Sequence, residues 1–442
     1  MKKFCSLFLA LVMVLSLAAC GGKTEQDGSG TDDAQELGLH IELEATLTKE
    51  ESFTNDDGVV LLTEKYTLPQ LALYTQSGEL YEFDGSMLAE SCANFNAELV
   101  KAAEDLDAAA QESLAAAAEA YDALDEEGKN NWAPYAEELT YESSYTTDGL
   151  ISAVCTAYSS GGGTHPNTAL KAWNFDLLKG EFITFDTLYS ADDPISRNLP
   201  AALSSEIFAQ ISDSGLSDGY FDDYADKVND LAGNADFCFT ESGMTVYFDV
   251  YVLAPYAAGA QSFDIPYSEF YYTLSAETQL LLTIPQENAV VSDYYAAQTM
   301  WAWFYMTMPP LDSEEPAAKA DDGTELYAVN MGTVTTLDGL RGLLCTYISE
   351  SIADEWLATG KFVEKDGVLY ATMGERGSDI TIGKLDYSVT LNGESGVLTQ
   401  TVSYQDFDEN GKPSLTGETA TLEYPFTLTG GHAVFTTFPC PL

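Results

Sequence analysis

Apolar residues change their spacing several times along the chain, and each change predicts an element. Residues 4–17 form an unbroken apolar run behind Lys2 and Lys3, the length of a leader's hydrophobic region and short for a permanent span. Residues 21–36, GGKTEQDGSGTDDAQE, show no apolar period and read as a flexible tether. Alternation typical of strands then appears at 39–47, 59–66 and 70–74. A helical spacing of three and four follows through Leu88, Cys92, Phe95, Leu99, Ala102, Leu106, Ala110, Leu114, Ala117, Tyr121 and Leu124, with Gly128 at its end. One rod of that length would run roughly 60 Å, so a break is expected among the alanines at 108–113.

Strand patterns return at 139–145, 149–158, 168–175 and 182–185, and a short hairpin joins 236–240 to 244–251. Residues 195–232 alternate short helical stretches with turns. The run AVVSDYYAAQTMWAWFYMTM, 289–308, is interrupted by Asp293 and Gln298 and stopped by Pro309 and Pro310, which predicts a buried helix rather than a membrane span. The remainder reads as a strand near 325–329, one helix over 336–359 and several hairpins. QDFDENGK, 405–412, has calcium-loop spacing, but its twelfth position is Gly417 and no helices flank it, so a hairpin turn is the better reading. The fold class is α+β, in two domains, each an antiparallel sheet packed with helices.

Charge narrows the partners. The 442 residues carry 18 Lys+Arg against 71 Asp+Glu, a formal net charge of −53. Such a chain repels nucleic acid and anionic headgroups and favours cationic partners, although many acids simply solvate a surface. The leader ends in Leu17-Ala18-Ala19-Cys20-Gly21, which resembles the bacterial lipobox. That resemblance implies cleavage after residue 19, lipidation of Cys20 and anchoring on the outer face of the cell membrane; an ordinary secretory leader is the alternative. Cys92, Cys155, Cys238, Cys345 and Cys440 are far apart and lack metal-ligand spacing, so buried free thiols are expected, with one long-range disulfide as the alternative.

The stretch YSSGGGTHPNTALKAWNFDLLKG, 158–180, has glycines and a histidine, yet no helix pattern follows the glycines as a phosphate cradle requires. Its glycines serve a turn between neighbouring strands. His165 lacks a second ligand at metal spacing, and His40 and His432 show no partner signal. No GxSxG, HExxH or paired-carboxylate motif appears. The expectation is a protein without catalysis, cofactor or metal.

Tyr158, Gly162, Gly163, His165, Asn167, Phe175, Asp176, Leu177, Thr184, Leu188 and Tyr189, with 239–270, resemble the extracellular module of the RsiV anti-sigma factor, shared with PdaC-type peptidoglycan deacetylases. Residues 37–288 are assigned to it. Trp303-Phe304, FVEKDGVLY at 362–370, GERGSD at 374–379 and VFTTF at 434–438 resemble the module of IseA-type inhibitors of cell-wall DL-endopeptidases, assigned to 289–442. The first resemblance implies binding of a cationic wall hydrolase such as lysozyme; RsiV's membrane span and cytoplasmic segment, and PdaC's deacetylase domain, have no counterpart here. Tyr158, Gly162, Gly163, His165, Asn167, Tyr256 and Arg376 are the candidate binding residues. A peptidoglycan-binding module, using some of the 26 tyrosines, is the alternative, and a wall-modifying hydrolase a further one.

Overall fold

The computed structural model describes residues 40–75, 77–81, 87–147, 149–163, 165–215, 219–374, 377, 379–409 and 413–439. Cys20, the leader, Arg376 and Cys440 lie outside the described residues. In chain order the elements are β1 (His40–Thr54), β2 (Val60–Tyr74), α1 (Met87–Asp122), α2 (Glu126–Asn130), β3 (Tyr135–Thr146), β4 (Leu150–Ser160), β5 (Asn167–Asp176), β6 (Glu181–Phe182), α3 (Leu199–Ser214), α4 (Tyr224–Asn229), α5 (Leu231–Asn234), β7 (Asp236–Phe239), β8 (Gly243–Phe248), β9 (Gln261–Pro266), α6 (Tyr267–Phe270), α7 (Ala276–Leu281) and α8 (Gln286–Tyr305). The rest are β10 (Ala318–Lys319), β11 (Glu325–Ala328), α9 (Leu337–Cys345), α10 (Glu350–Leu357), β12 (Phe362–Lys365), β13 (Val368–Thr372), β14 (Ile382–Asn392), β15 (Ser395–Phe407), β16 (Pro413–Thr429) and β17 (His432–Phe435). The chain is a mixed α+β protein of several antiparallel sheets packed with helices.

Two compact units emerge. One takes the residues up to Thr184 with Ser214–Phe263, the other Phe185–Asp213 with Asp264–Leu442. The division therefore differs from a cut at 288/289. Residues 185–213 and 264–288 go with the second unit because their contacts lie there. Ile195 and Tyr272 pack into the core around α8. Ser196 Oγ donates to the Thr273 carbonyl at 2.8 Å, and the Ser275 amide to Leu188 O at 2.8 Å.

The first unit is built on a sheet in the order β1-β2-β3-β4-β5-β6. All its pairings are antiparallel except β2 with β3, which run parallel from Leu62–Tyr135 to Thr67–Thr140. Parallel neighbours need a crossover, and α1 lies in it. The helix runs unbroken for 36 residues, about 54 Å at 1.5 Å per residue, so the expected break is absent. Ala103, Ala110 and Ala117 continue the buried stripe begun by Cys92, Phe95 and Leu99. Alanine is both the best helix former and small enough to lie close on a sheet. Phe95 packs against Phe175 and Phe182, with ring centroids 5.4 and 6.0 Å away. Polar groups fix the helix in register. Asn96 pairs with both backbone groups of Leu71, at 2.7 and 2.9 Å, where β3 no longer covers that edge of β2. Lys49 Nζ joins buried Glu64 at 2.8 Å to Asp107 on α1 at 3.0 Å.

A second sheet, in the order β7-β8-β9, includes a β7–β8 hairpin, and the boundary between units falls within β9. In the second unit, α8 is buried on nearly every side, from Val290 to Phe304. That explains its membrane-like composition; among the described residues no helix is long and apolar enough to cross a membrane. Its Tyr294 hydroxyl accepts from Gln400, which is fully buried and also bonded by Tyr424 at 3.1 Å. Two four-stranded sheets, β10-β11-β13-β12 and β14-β15-β16-β17, accompany it. The β12–β13 turn places Asp366 and Gly367 at φ +54° and +77°, the signature of a tight hairpin. The single helix expected over 336–359 is two. Tyr347 O accepts from Phe435 N and Ser349 N donates to Phe435 O, at 2.8 and 2.9 Å, so the intervening residues bond to β17 instead of continuing the helix.

Candidate functional site

The candidate loop is the tip of the β4–β5 hairpin, and both strands explain its position. β4 pairs with β5 from Leu150–Asp176 to Ser159–Asn167, leaving 161–166 to turn. Gly162 adopts φ +71° directly over the Tyr135 ring, where a Cβ would sit 2.7 Å from a ring carbon. Close approach and handedness both require glycine there. Gly163 has open space around its Cα and carries neither demand. Tyr135 stacks on Trp132 at 5.6 Å, which packs edge-on to Tyr121 at 5.4 Å and donates Nε1 to the Val60 carbonyl at 3.0 Å.

On the hairpin's free edge, β6 covers β5 only at Phe175 and Asp176. The exposed amides further along β5 are taken by carboxylates of the adjoining sheet. Leu170 N donates to Asp249 at 2.9 Å and Ala172 N to Asp236 at 3.2 Å. Burial raises the Asp236 carboxyl above the usual aspartate range, against the pull of that amide. These bonds bring the segment after β8 alongside the hairpin. Tyr256 donates its hydroxyl to Pro166 O at 2.5 Å, and its ring lies 4.7 Å from the exposed His165 imidazole. Tyr251, 58% exposed and at φ +67°, lies 5.7 Å from Tyr256. The result is a run of rings, Tyr251, Tyr256 and His165, open to solvent beside a glycine turn.

Six of the seven expected binding residues are described. Gly162, Gly163, His165, Asn167 and Tyr256 meet at this hairpin end. Tyr158 lies one strand position inward, paired with Thr168 and half-buried. Tyr135, with Trp132 behind it, lies against Gly162, and Tyr251 lies beside Tyr256; none of the three was expected there. Only fold topology joins them; the aromatic WAPY run at 132–135 was the available cue. Among the described residues no three His, Cys, Asp or Glu groups cluster as metal ligands, and Cys92, Cys155, Cys238 and Cys345 are free thiols.

His432, which showed no partner in the sequence, has one. Asp293 on α8 accepts from its Nδ1 at 2.9 Å and from the Ala433 amide at 2.6 Å. The buried carboxylate hydrogen bond raises the His432 pKa, against a partial desolvation. Burial also raises Asp293, while the imidazole and the amide pull it down. Asp293 thereby fixes the imidazole through Nδ1 and leaves Nε2 for other contacts.

The family model described as a protein of unknown function, DUF3298, matches residues 190–268. The immunogenic proteins MPB64 of Mycobacterium bovis and MPT64 of Mycobacterium tuberculosis are each 33% identical over 146 residues, which is 31% of this chain and 58% of theirs. The chain thus spans a little over half the length of these curated relatives. A solved DUF3298 family member from Bacteroides fragilis is 17% identical, with TM-score 0.39 over 54% of this chain and 94% of that one. Another, from Pseudomonas aeruginosa PAO1, is 15% identical, with TM-score 0.33 over 54% and 96%. The chain carries a DUF3298 domain at residues 190–268, a domain with no assigned function.

Proposed function

We propose that this chain is a lipid-anchored protein on the outer face of a bacterial membrane that captures a cationic cell-wall hydrolase such as lysozyme, without catalysis. The observation that carries the reading is the Tyr251–Tyr256–His165 ring surface, joined to the β4–β5 hairpin by the Tyr256 hydroxyl on Pro166 O. Tyrosine and histidine give contact area at small entropic cost, and rings at the centre of a surface are where binding energy concentrates. The net charge of −53 supplies long-range attraction for a basic partner. Of the RsiV-like residues, Gly162, Gly163, His165, Asn167 and the segment holding Tyr251 and Tyr256 lie at this hairpin end, while Phe175, Leu177 and Leu188 are buried. The IseA-like second half fits the same setting, the envelope where wall hydrolases act.

An aromatic surface also suits the faces of sugar rings, so peptidoglycan is the competing ligand. Residues 23–442 immobilised on beads would be offered purified lysozyme and, separately, insoluble peptidoglycan. The proposal expects retention of lysozyme and its loss in Tyr251→Ala and His165→Ala variants that keep the wild-type circular dichroism. Retention of peptidoglycan alone overturns it.

A further inference from the structure

The second unit holds a cleft of about 630 Å³ whose lining residues all belong to 185–213 or 264–442. That volume is ordinary for a small-molecule site and suits a ligand of two or three sugar rings. Tyr189, Tyr272 and Tyr347 line its walls, Asp192 and Asp193 its rim, and His432 closes one end.

Three features make this a built site rather than a surface dent. Asp293 holds the imidazole, as described, so that a ring nitrogen remains for a ligand in the cleft. Tyr347 packs edge-on to that imidazole at 5.2 Å. Tyr347 stands in the segment that interrupts the expected helix between α9 and α10, so the interruption itself puts the ring in the cleft wall. Finally, Gly332 at φ +56° passes so close to Asp192 that a Cβ would lie 1.9 Å from the Asp192 carbonyl oxygen. Only glycine lets this turn close against the rim carrying Asp192 and Asp193.

The mix of groups restricts the ligand. Among the described residues no Lys or Arg lines the cleft, so a phosphate or carboxylate would meet Asp192, Asp193 and Glu277 with only an imidazole in compensation. A lone cation would suit the carboxylates, but among the described residues no three His, Cys, Asp or Glu groups cluster as metal ligands. A hydroxyl both donates and accepts, and so satisfies aspartates and imidazole together, while the C–H face of a sugar ring lies against tyrosine. We propose that this cleft, with His432 oriented by Asp293, binds a neutral, hydroxyl-rich saccharide.

The test uses residues 23–442 labelled with carbon-13 at histidine. The His432 Hε1 resonance is followed on adding maltotriose, cellotriose or tri-N-acetylchitotriose to about 10 mM, enough to detect a Kd near 1 mM. The expected result is saturable movement of that resonance with at least one of them. Asp192→Asn, at an exposed position, should weaken it by about tenfold, or 1.4 kcal/mol, while leaving the unfolding temperature unchanged. His432→Gln should abolish binding measured by calorimetry. Movement with spermidine but none of the saccharides overturns the proposal, as does no movement at all. Saccharide binding unaffected by both variants overturns it too, because it would place the ligand elsewhere, including at the Tyr251–Tyr256 surface.

Discussion

Replacing Asp293 with alanine removes an acceptor from two donors at once. The Ala433 amide, fully buried, loses its 2.6 Å partner, and an orphaned buried amide costs about 1–3 kcal/mol. The His432 bond at 2.9 Å is charge-assisted, but that side chain is 34% exposed. Water can replace part of the bond, so its loss is worth about 1 kcal/mol. Against this stands the relief of a carboxylate that burial disfavours. The net expectation is a loss of about 2–3 kcal/mol, or about 4–12 °C for a unit near 200 residues. The pH dependence supplies a second signature. The folded-state pKa of His432 is raised, so its contribution is complete below the ordinary imidazole value of about 6.5 and is lost as pH rises through the raised value. Thermal unfolding followed by tryptophan fluorescence from pH 5.5 to 9 should therefore show the wild type losing stability with rising pH. Asp293→Ala should lack that slope. A variant within about 0.5 kcal/mol of wild type, or one with the wild-type pH slope, refutes the reasoning.

Other consequences are separable. Gly162→Val should destabilise the first unit by about 2 kcal/mol or more through positive φ and collision with Tyr135, while Gly163→Ala should be within about 0.5 kcal/mol of wild type in denaturant titration. Burial pushes the Cys92 thiol up to about 12 and raises Cys155 as well, so native-state thiol labelling followed by mass spectrometry should modify half-buried Cys345 well before either. A fragment of residues 289–442 loses Ile195 and Tyr272 from its core, and should show broad, non-cooperative melting and poor proton dispersion in NMR.

What the sequence revealed divides by range. The β4–β5 and β7–β8 hairpins were readable from alternation and turn residues because their partners are adjacent in the chain. The buried character of α8 was readable from one charge, one amide and two prolines. Ranges longer than that failed. The second unit is assembled from two separated segments, and no local pattern tells Ile195 that its neighbours begin at Val290. Asp293 looked like a flaw in an apolar helix; its meaning lies 139 residues away in His432. The helix over 336–359 kept its period but lost residues 346–349 to pairing with β17, a tertiary competitor that propensity does not register. The alanines at 108–113 erred in the other direction: they looked too weak to hold a stripe, yet packing on a sheet rewards small residues.

The most direct test of the central claim is a calorimetric titration of residues 23–442 with lysozyme, beside cytochrome c as a basic protein that is not a hydrolase, at low and at physiological salt. Screening over about 8 Å at physiological ionic strength should weaken both, but the account predicts that lysozyme keeps saturable binding where cytochrome c does not, and that His165→Ala with Tyr251→Ala removes the difference. Equal affinity for the two proteins, or no heat with lysozyme, contradicts it.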